Sequence, residues 1–174
     1  FSLLEKSMRL TIECEEKLPC YFDVEKYTKI FTNLMSNAIK YGRYEGNIIV
    51  SVKIENETAY ISVKDDGKGI PEEKRSRLFE RFERLDVDKN RPEIQGFGIG
   101  LNYSYSMAKC HKGSLYYEPN QPQGSIFTLE IPVGEDAYSE EEIGNPEFIT
   151  DIYQNNSADS VVSTGDKHGT VLIV

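Results

Sequence analysis

Residues 33–41 read Asn-Leu-Met-Ser-Asn-Ala-Ile-Lys-Tyr, and what this stretch does decides the fold. Around it Val24, Tyr27, Ile30, Phe31, Leu34, Met35, Ala38 and Ile39 recur at steps of three and four, the spacing that gathers apolar side chains on one stripe of a helix. Asp23 is placed to cap its start and Gly42 to end it. On the polar stripe Asn33, Asn37, Lys40 and Tyr41 fall at i, i+4, i+7 and i+8, so two amides, an ammonium and a ring share one surface. Amide oxygens suit Mg²⁺, which keeps several of its waters, and a neighbouring lysine neutralises phosphate. For the helix alone, an ordinary solvated face explains the same pattern.

Downstream, Asn47 to Glu55 alternates with Val50, Val52 and Ile54 on one side, a turn follows at Asn56-Glu57, and Ala59, Ile61 and Val63 alternate again. This predicts a β-hairpin. Its second strand runs into Asp65-Asp66-Gly67-Lys68-Gly69-Ile70. An aspartate at a strand end accepts a hydrogen bond from an exocyclic amine, and glycines beside it let the backbone approach a flat ring. A plain turn would also use these residue types. Pro71 suits the first turn of a second helix carrying Leu78, Phe79 and Phe82, and the polar run Leu85 to Gln95 predicts a loop.

Gly96-Phe97-Gly98-Ile99-Gly100-Leu101 then opens a third helix that stops at Gly113. Alternate glycines before a helix start offer backbone N–H groups to an anion, with the helix dipole assisting. The spacing is wrong for a dinucleotide fingerprint, and no strand leads directly into it. Two more strands, Ser114 to Tyr117 and Ser125 to Ile131, flank a Pro/Gln/Gly turn, and Arg9 to Glu13 suggests a strand upstream. The resulting fold class is α+β, a two-layer sandwich with helices on one face of a sheet.

The 174 residues, 39% hydrophobic and 28% charged, are enough to bury a core, and no run approaches the roughly 18 apolar residues of a membrane span. Net charge is −9, concentrated between Gly134 and His168, where nine acidic residues face the single basic Lys167. Residues 134–168 therefore read as an acidic linker or tail, and nucleic acid is disfavoured as a partner. Cys14, Cys20 and Cys110 form no C-x-x-C or Cys/His metal spacing, which fits reduced thiols in a cytoplasmic setting. A chain opening on Phe1, with no leader, reads as part of something larger, and this part predicts no direct membrane contact.

Taken together in this order and spacing, the motifs resemble the catalytic, ATP-binding domain of two-component sensor histidine kinases, in the superfamily that also holds gyrase B, Hsp90 and MutL. Asn33 to Tyr41 is similar to the N box, Asp65 to Ile70 to the first glycine box, Leu78 to Arg84 to the F box, and Gly96 to Leu101 to the second glycine box. Gly124-Ser125-Ile126-Phe127 resembles the closing glycine motif, so the likeness spans residues 1–133. Phe97 departs from it, standing where the family often has a small or hydroxylated residue.

The resemblance implies the Bergerat fold, a mixed sheet with three helices on one face and a flexible lid at Leu85 to Gln95 over ATP. It implies that Asp65 reads the adenine amine, that Asn37 ligates Mg²⁺ with Asn33 assisting, and that Lys40 and Arg84 meet phosphates. Tyr41, Gly67, Gly69 and Ile70 would lie at the base, with Gly96, Gly98, Gly100 and Leu101 toward the phosphates. Phe79 and Phe82 read as packing. Where the superfamily's ATPases carry a glutamate base, this chain has Asn33, which favours phosphoryl transfer to a histidine over hydrolysis. His111 and His168 do not fit the acceptor, so its partner would be an upstream dimerisation domain. Gly169 to Val174 is similar to the first strand of a receiver domain, a second partner in a hybrid system, or else adds an edge strand elsewhere. A GHKL-type ATPase and a degenerate nucleotide- or partner-binding module are the alternatives.

Overall fold

A computed structural model describes residues 2–14, 20–22, 24–81, 99–134, 137 and 170–172. Five strands, β1 (Arg9–Cys14), β3 (Asn47–Glu55), β4 (Thr58–Asp65), β5 (Ser114–Pro119) and β6 (Ser125–Pro132), form one sheet in the order β1-β3-β4-β6-β5. β1 lies parallel to β3, and every other neighbouring pair is antiparallel. The sheet is therefore mixed, as the resemblance implied. A separate antiparallel pair joins β2 (Cys20–Phe22) to β7 (Thr170–Leu172).

The alternation read from the sequence sets which way the sheet faces. Val50 pairs with Val63, Val63 with Phe127, and Leu129 with Leu115, so each apolar row meets its neighbour on the same side. Between β3 and β4 the chain reverses through Asn56 and Glu57, both at positive φ (49° and 59°), the geometry of a two-residue hairpin turn that matches strand twist. Asn tolerates it well; Glu57 does so at some cost.

α1 (Val24–Tyr41) and α3 (Gly100–Cys110) pack against each other over the inner face of the sheet. The buried stripe of α1 is Tyr27, Ile30, Leu34 and Ala38, and α3 buries Ser104 and Ala108, small residues that let the helices approach closely. With Ile48, Val50, Val63, Phe127, Leu129 and Ile131 they form one core. Each such large side chain gains about 1.5–3 kcal/mol from burial.

α3 stops through a Schellman arrangement: Lys112 takes the left-handed conformation (φ 62°), and the Gly113 N–H returns to the Ala108 carbonyl at 2.8 Å. Gly113 itself has φ in the ordinary range. Its lack of a side chain instead admits the Glu130 carbonyl, 2.5 Å from where a Cβ would stand.

The second helix is shorter than its apolar spacing suggested. α2 is a single turn, Glu72–Arg75, with Pro71 at its N-cap, and the chain then proceeds in turns through Arg81. Leu78 is buried and Phe79 stacks on Tyr105 of α3, ring centroids 4.8 Å apart. Side-chain bonds fix this irregular path: Arg75 Nε donates to the Ile70 carbonyl at 3.0 Å and Asn102 Nδ2 to the Phe79 carbonyl at 2.7 Å. Asp23, Phe82, Arg84, the lid at Leu85 to Gln95, Gly96 and Gly98 lie outside the described residues.

Candidate functional site

The floor of the site is the C-terminal end of β4. Asp65 is the last residue of that strand, opposite Ser125 at the start of β6, and is only 4% exposed. Burial pushes its carboxyl up to about 6, while hydrogen bonds from Gly67 and Ser125 pull the other way and Asp66 adds a small upward push. The Gly67 N–H donates to Asp65 Oδ1 at 2.8 Å. This turn requires glycine, because a Cβ on Gly67 would stand 2.5 Å from the Tyr41 carbonyl and 2.8 Å from that carboxylate oxygen. Gly124, at φ 130°, lies closer still: a Cβ there would fall 2.0 Å from the Asp65 carbonyl oxygen. Asn120, itself buried, donates from Nδ2 to the same carbonyl at 2.9 Å.

Asp66 serves the scaffold. Its Oδ2 accepts from the backbone N–H and the side-chain amide of Asn47, each at 3.0 Å, and pairs with Arg43 Nη2 at 3.0 Å. The turn after α1 is thereby fastened to the end of β4.

The walls come from the helices. A cavity opens above Asp65, lined by Asn37 and Tyr41 of α1, Ile70 of the glycine turn, Leu101 of α3 and Phe127 of β6. Lys40 Nζ and Lys68 Nζ lie 5.3 Å and 5.8 Å from the Tyr41 ring centroid, so the ring sits in a cationic setting. The cavity, about 30 Å³, is partly open to its surroundings rather than sealed. The donor and acceptor set fits a purine nucleotide: a buried carboxylate for an amine, apolar side chains for ring faces, and amide and ammonium groups toward the phosphate end.

The structure thus brings Asn37, Tyr41, Asp65, Gly69, Ile70 and Leu101 to one cavity. Asn33 and Gly100 meet one turn earlier on α1, where a Cβ on Gly100 would stand 2.4 Å from Asn33 Oδ1. Lys68, Pro71, Ser125 and Phe127 also line the cavity, although the sequence reading gave them no role there. Lys68 was legible as the cation inside Asp65 to Ile70, whereas Ser125 and Phe127 reach the site only through strand register. His111 lies at the end of α3, its carbonyl accepting from the Tyr27 hydroxyl at 2.9 Å and its ring edge-on to the Tyr27 ring.

Fold and site together define a nucleotide-binding α/β sandwich. The profile described as histidine kinase-, DNA gyrase B-, and HSP90-like ATPase matches residues 22–135, and the chain belongs to that family. It is similar to the adaptive-response sensory kinase SasA of Gloeothece citriformis, 36% identical over 131 residues, covering 74% of this chain and 33% of the relative. Similarity to the sensor histidine kinase WalK of Bacillus subtilis is 34% over 116 residues, covering 66% of this chain and 19% of WalK. The chain thus spans a third or less of the length of these relatives. In fold it resembles the nucleotide-free catalytic domain of histidine kinase ThkA, with a TM-score of 0.67 at 24% identity, over 78% of this chain and 86% of that one. Full-length ShkA in complex with AMPPNP gives a TM-score of 0.64 at 22% identity, over 80% of this chain and 29% of ShkA.

Proposed function

We propose that the chain binds ATP with Mg²⁺ in the cavity above Asp65 and passes the γ-phosphoryl group to a histidine on a separate dimerisation domain, as part of a two-component sensor kinase. The observation that carries this reading is Asp65 itself: a carboxylate buried at a strand end, with glycines on two sides where any side chain would collide. A buried carboxylate with its pKa raised is costly even when hydrogen-bonded, and such groups cluster at functional sites.

In this reading Asp65 accepts the adenine amine, and Tyr41 and Ile70 flank the base. Gly67 and Gly69 keep the adjoining backbone clear for it, and Leu101 closes the far wall. Asn37 offers its amide oxygen to Mg²⁺, with Asn33 assisting. No group of three acidic, histidine or cysteine side chains suited to a metal occurs among the described residues, so the cation would rely on amide, phosphate and water oxygens. Bound Mg²⁺ supplies charge neutralisation across the phosphate oxygens. Lys40 and Arg84 add positive charge there, and Gly96, Gly98 and Gly100 shape the phosphate-facing end of the lid.

As the acceptor imidazole nitrogen bonds to phosphorus, the bond to the ADP oxygen breaks and the ring releases its proton. Asn33 has no carboxylate with which to take a proton from water, which supports transfer over steady hydrolysis. Residues 134–168 serve as an acidic linker and 169–174 as the start of a receiver domain, all in the cytoplasm.

Calorimetric titration with ADP and a non-hydrolysable ATP analogue, with and without Mg²⁺, tests the reading beside Asp65→Asn and Asn37→Ala. Binding should be lost in the first variant and lose its Mg²⁺ dependence in the second. A supplied dimerisation domain should then gain a phosphoryl group that is stable to base and labile to acid. Steady phosphate release without transfer would indicate an ATPase, and binding without either a non-catalytic module. No binding by the folded wild type would sink the proposal.

A further inference from the structure

Lys6 is 1% exposed, the least solvated charged residue among the described ones, and the nucleotide reading gives it no role. Its Nζ donates to the Lys40 carbonyl at 2.8 Å and to the Gly42 carbonyl at 2.9 Å. These are carbonyls of the last turn and exit of α1, which no residue further along the helix can satisfy, and they carry the negative end of its dipole. A buried ammonium at this point is thus doubly matched, by charge and by acceptor. That turn is also the one that bears Lys40 and Tyr41.

The bond belongs to a larger seam. The Lys6 carbonyl accepts from the Glu45 N–H at 2.8 Å, and the Arg9 N–H donates to the Gly46 carbonyl at 2.9 Å. Met8 packs on Gly42, where a Cβ would stand 2.5 Å from Met8 Cε. On the far side the Tyr41 carbonyl is in contact with Gly67, next to Asp65. The end of α1 is therefore held between residues 6–9 and the glycine turn of the site.

We propose that Lys6 is a positioning residue for the nucleotide site: by satisfying the end of α1 it sets the placement of Tyr41 and Lys40, and it couples the segment Ser2–Ser7 to nucleotide binding. This rests on the nucleotide reading above. Without the ammonium, two carbonyls in a buried place lose a charged donor, the last turn loosens, and the Tyr41 ring loses its fixed position over the base.

The test uses the whole chain. Lys6→Met keeps the length and apolar stem but removes the donor. At a temperature where circular dichroism shows it folded, its Kd for ADP should rise about tenfold, the loss of one charge-assisted bond's worth of order. On the wild type, the ¹⁵N signal of Lys6 Nζ should shift on saturation with ADP while that of Lys53, far out on β3, stays put. A folded Lys6→Met with the wild-type Kd would overturn the proposal, and so would an unmoved Lys6 Nζ signal, which decides the matter if the variant fails to fold. If the wild type binds no ADP, the nucleotide reading fails and this proposal with it.

Discussion

Asn33 on α1 donates its side-chain amide to the Ser104 hydroxyl on α3 at 2.8 Å, tying together the two helices that wall the site. Its other amide atom, Oδ1, borders Gly100, the first residue of α3. A Cβ at Gly100 would stand 2.4 Å from that oxygen, so Gly100→Ala forces Asn33 to move and strains the bond to Ser104. Alanine is the better helix former, by at most about 1 kcal/mol at this first helical position, which in the absence of this contact would stabilise α3. The expected outcome is a net loss of about 1 kcal/mol for Gly100→Ala, turning to a gain when Asn33→Ala is present. Chemical denaturation of the four proteins of this double-mutant cycle checks it. Additive effects would show that Asn33 and Gly100 do not meet.

Gly124 and Gly134 give a contrast between backbone and side-chain crowding. At Gly124 both the positive φ and a 2.0 Å approach to the Asp65 carbonyl act against any side chain, and the opposing group is backbone in the sheet. Gly124→Ala should therefore cost about 3 kcal/mol and abolish nucleotide binding. At Gly134 the nearest atoms, from 2.8 Å, all belong to the Glu57 side chain, which can swing into solvent. Gly134→Ala should cost under about 0.5 kcal/mol. Urea midpoints of the two variants, measured side by side, settle the ranking.

What the sequence makes legible follows the range of the interaction. α1 and the strands of the hairpin rest on local periodicity, and they form where it puts them. α2 does not, because Leu78 and Phe79 take their positions from α3 and from the side chains of Arg75 and Asn102 rather than from neighbouring turns. The same holds at the site. Asp65 stands out as a strand-end aspartate followed by glycines, whereas Ser125 faces it only through the pairing of β4 with β6. Lys6 is one lysine among many in sequence, and its burial under the end of α1 is visible only once residues 34 and 36 positions apart are brought together.

Asn102 holds the segment after α2. Its Nδ2 donates to the Phe79 carbonyl at 2.7 Å, and its Oδ1 accepts from Arg81 Nε at 3.3 Å. Asn102→Asp keeps the acceptor for Arg81 but sets a carboxylate oxygen against a carbonyl, so it should loosen residues 76–81 more than Asn102→Ala does. Each loss should lie near 1 kcal/mol, with the aspartate the larger. Hydrogen exchange at the backbone amides of Leu78 and Glu80, which bond to Arg75 and Arg77 carbonyls, reads this directly. Wild-type protection in both variants would show that the Phe79 stack alone sets the path.

The buried carboxyl of Asp65 makes both stability and binding depend on pH, in opposite senses. Its folded value of about 6 lies above its ordinary 3.8, so between these limits the folded protein holds a proton that the unfolded chain has released. Stability from this group is therefore present at low pH and falls as pH rises toward 6, above which the ionised carboxylate bears the cost of burial. A base amine, by contrast, is best accepted by the ionised form. Affinity for ADP should thus be flat above about pH 7 and fall up to about tenfold per unit below about pH 6. Asp65→Asn removes both dependences: its stability should gain on the wild type at neutral pH, and it should bind no ADP anywhere in the range. Calorimetric titrations from pH 5 to 8 on the two proteins check this, and a wild-type affinity that does not bend near pH 6 would mean that Asp65 is not the group that reads the base.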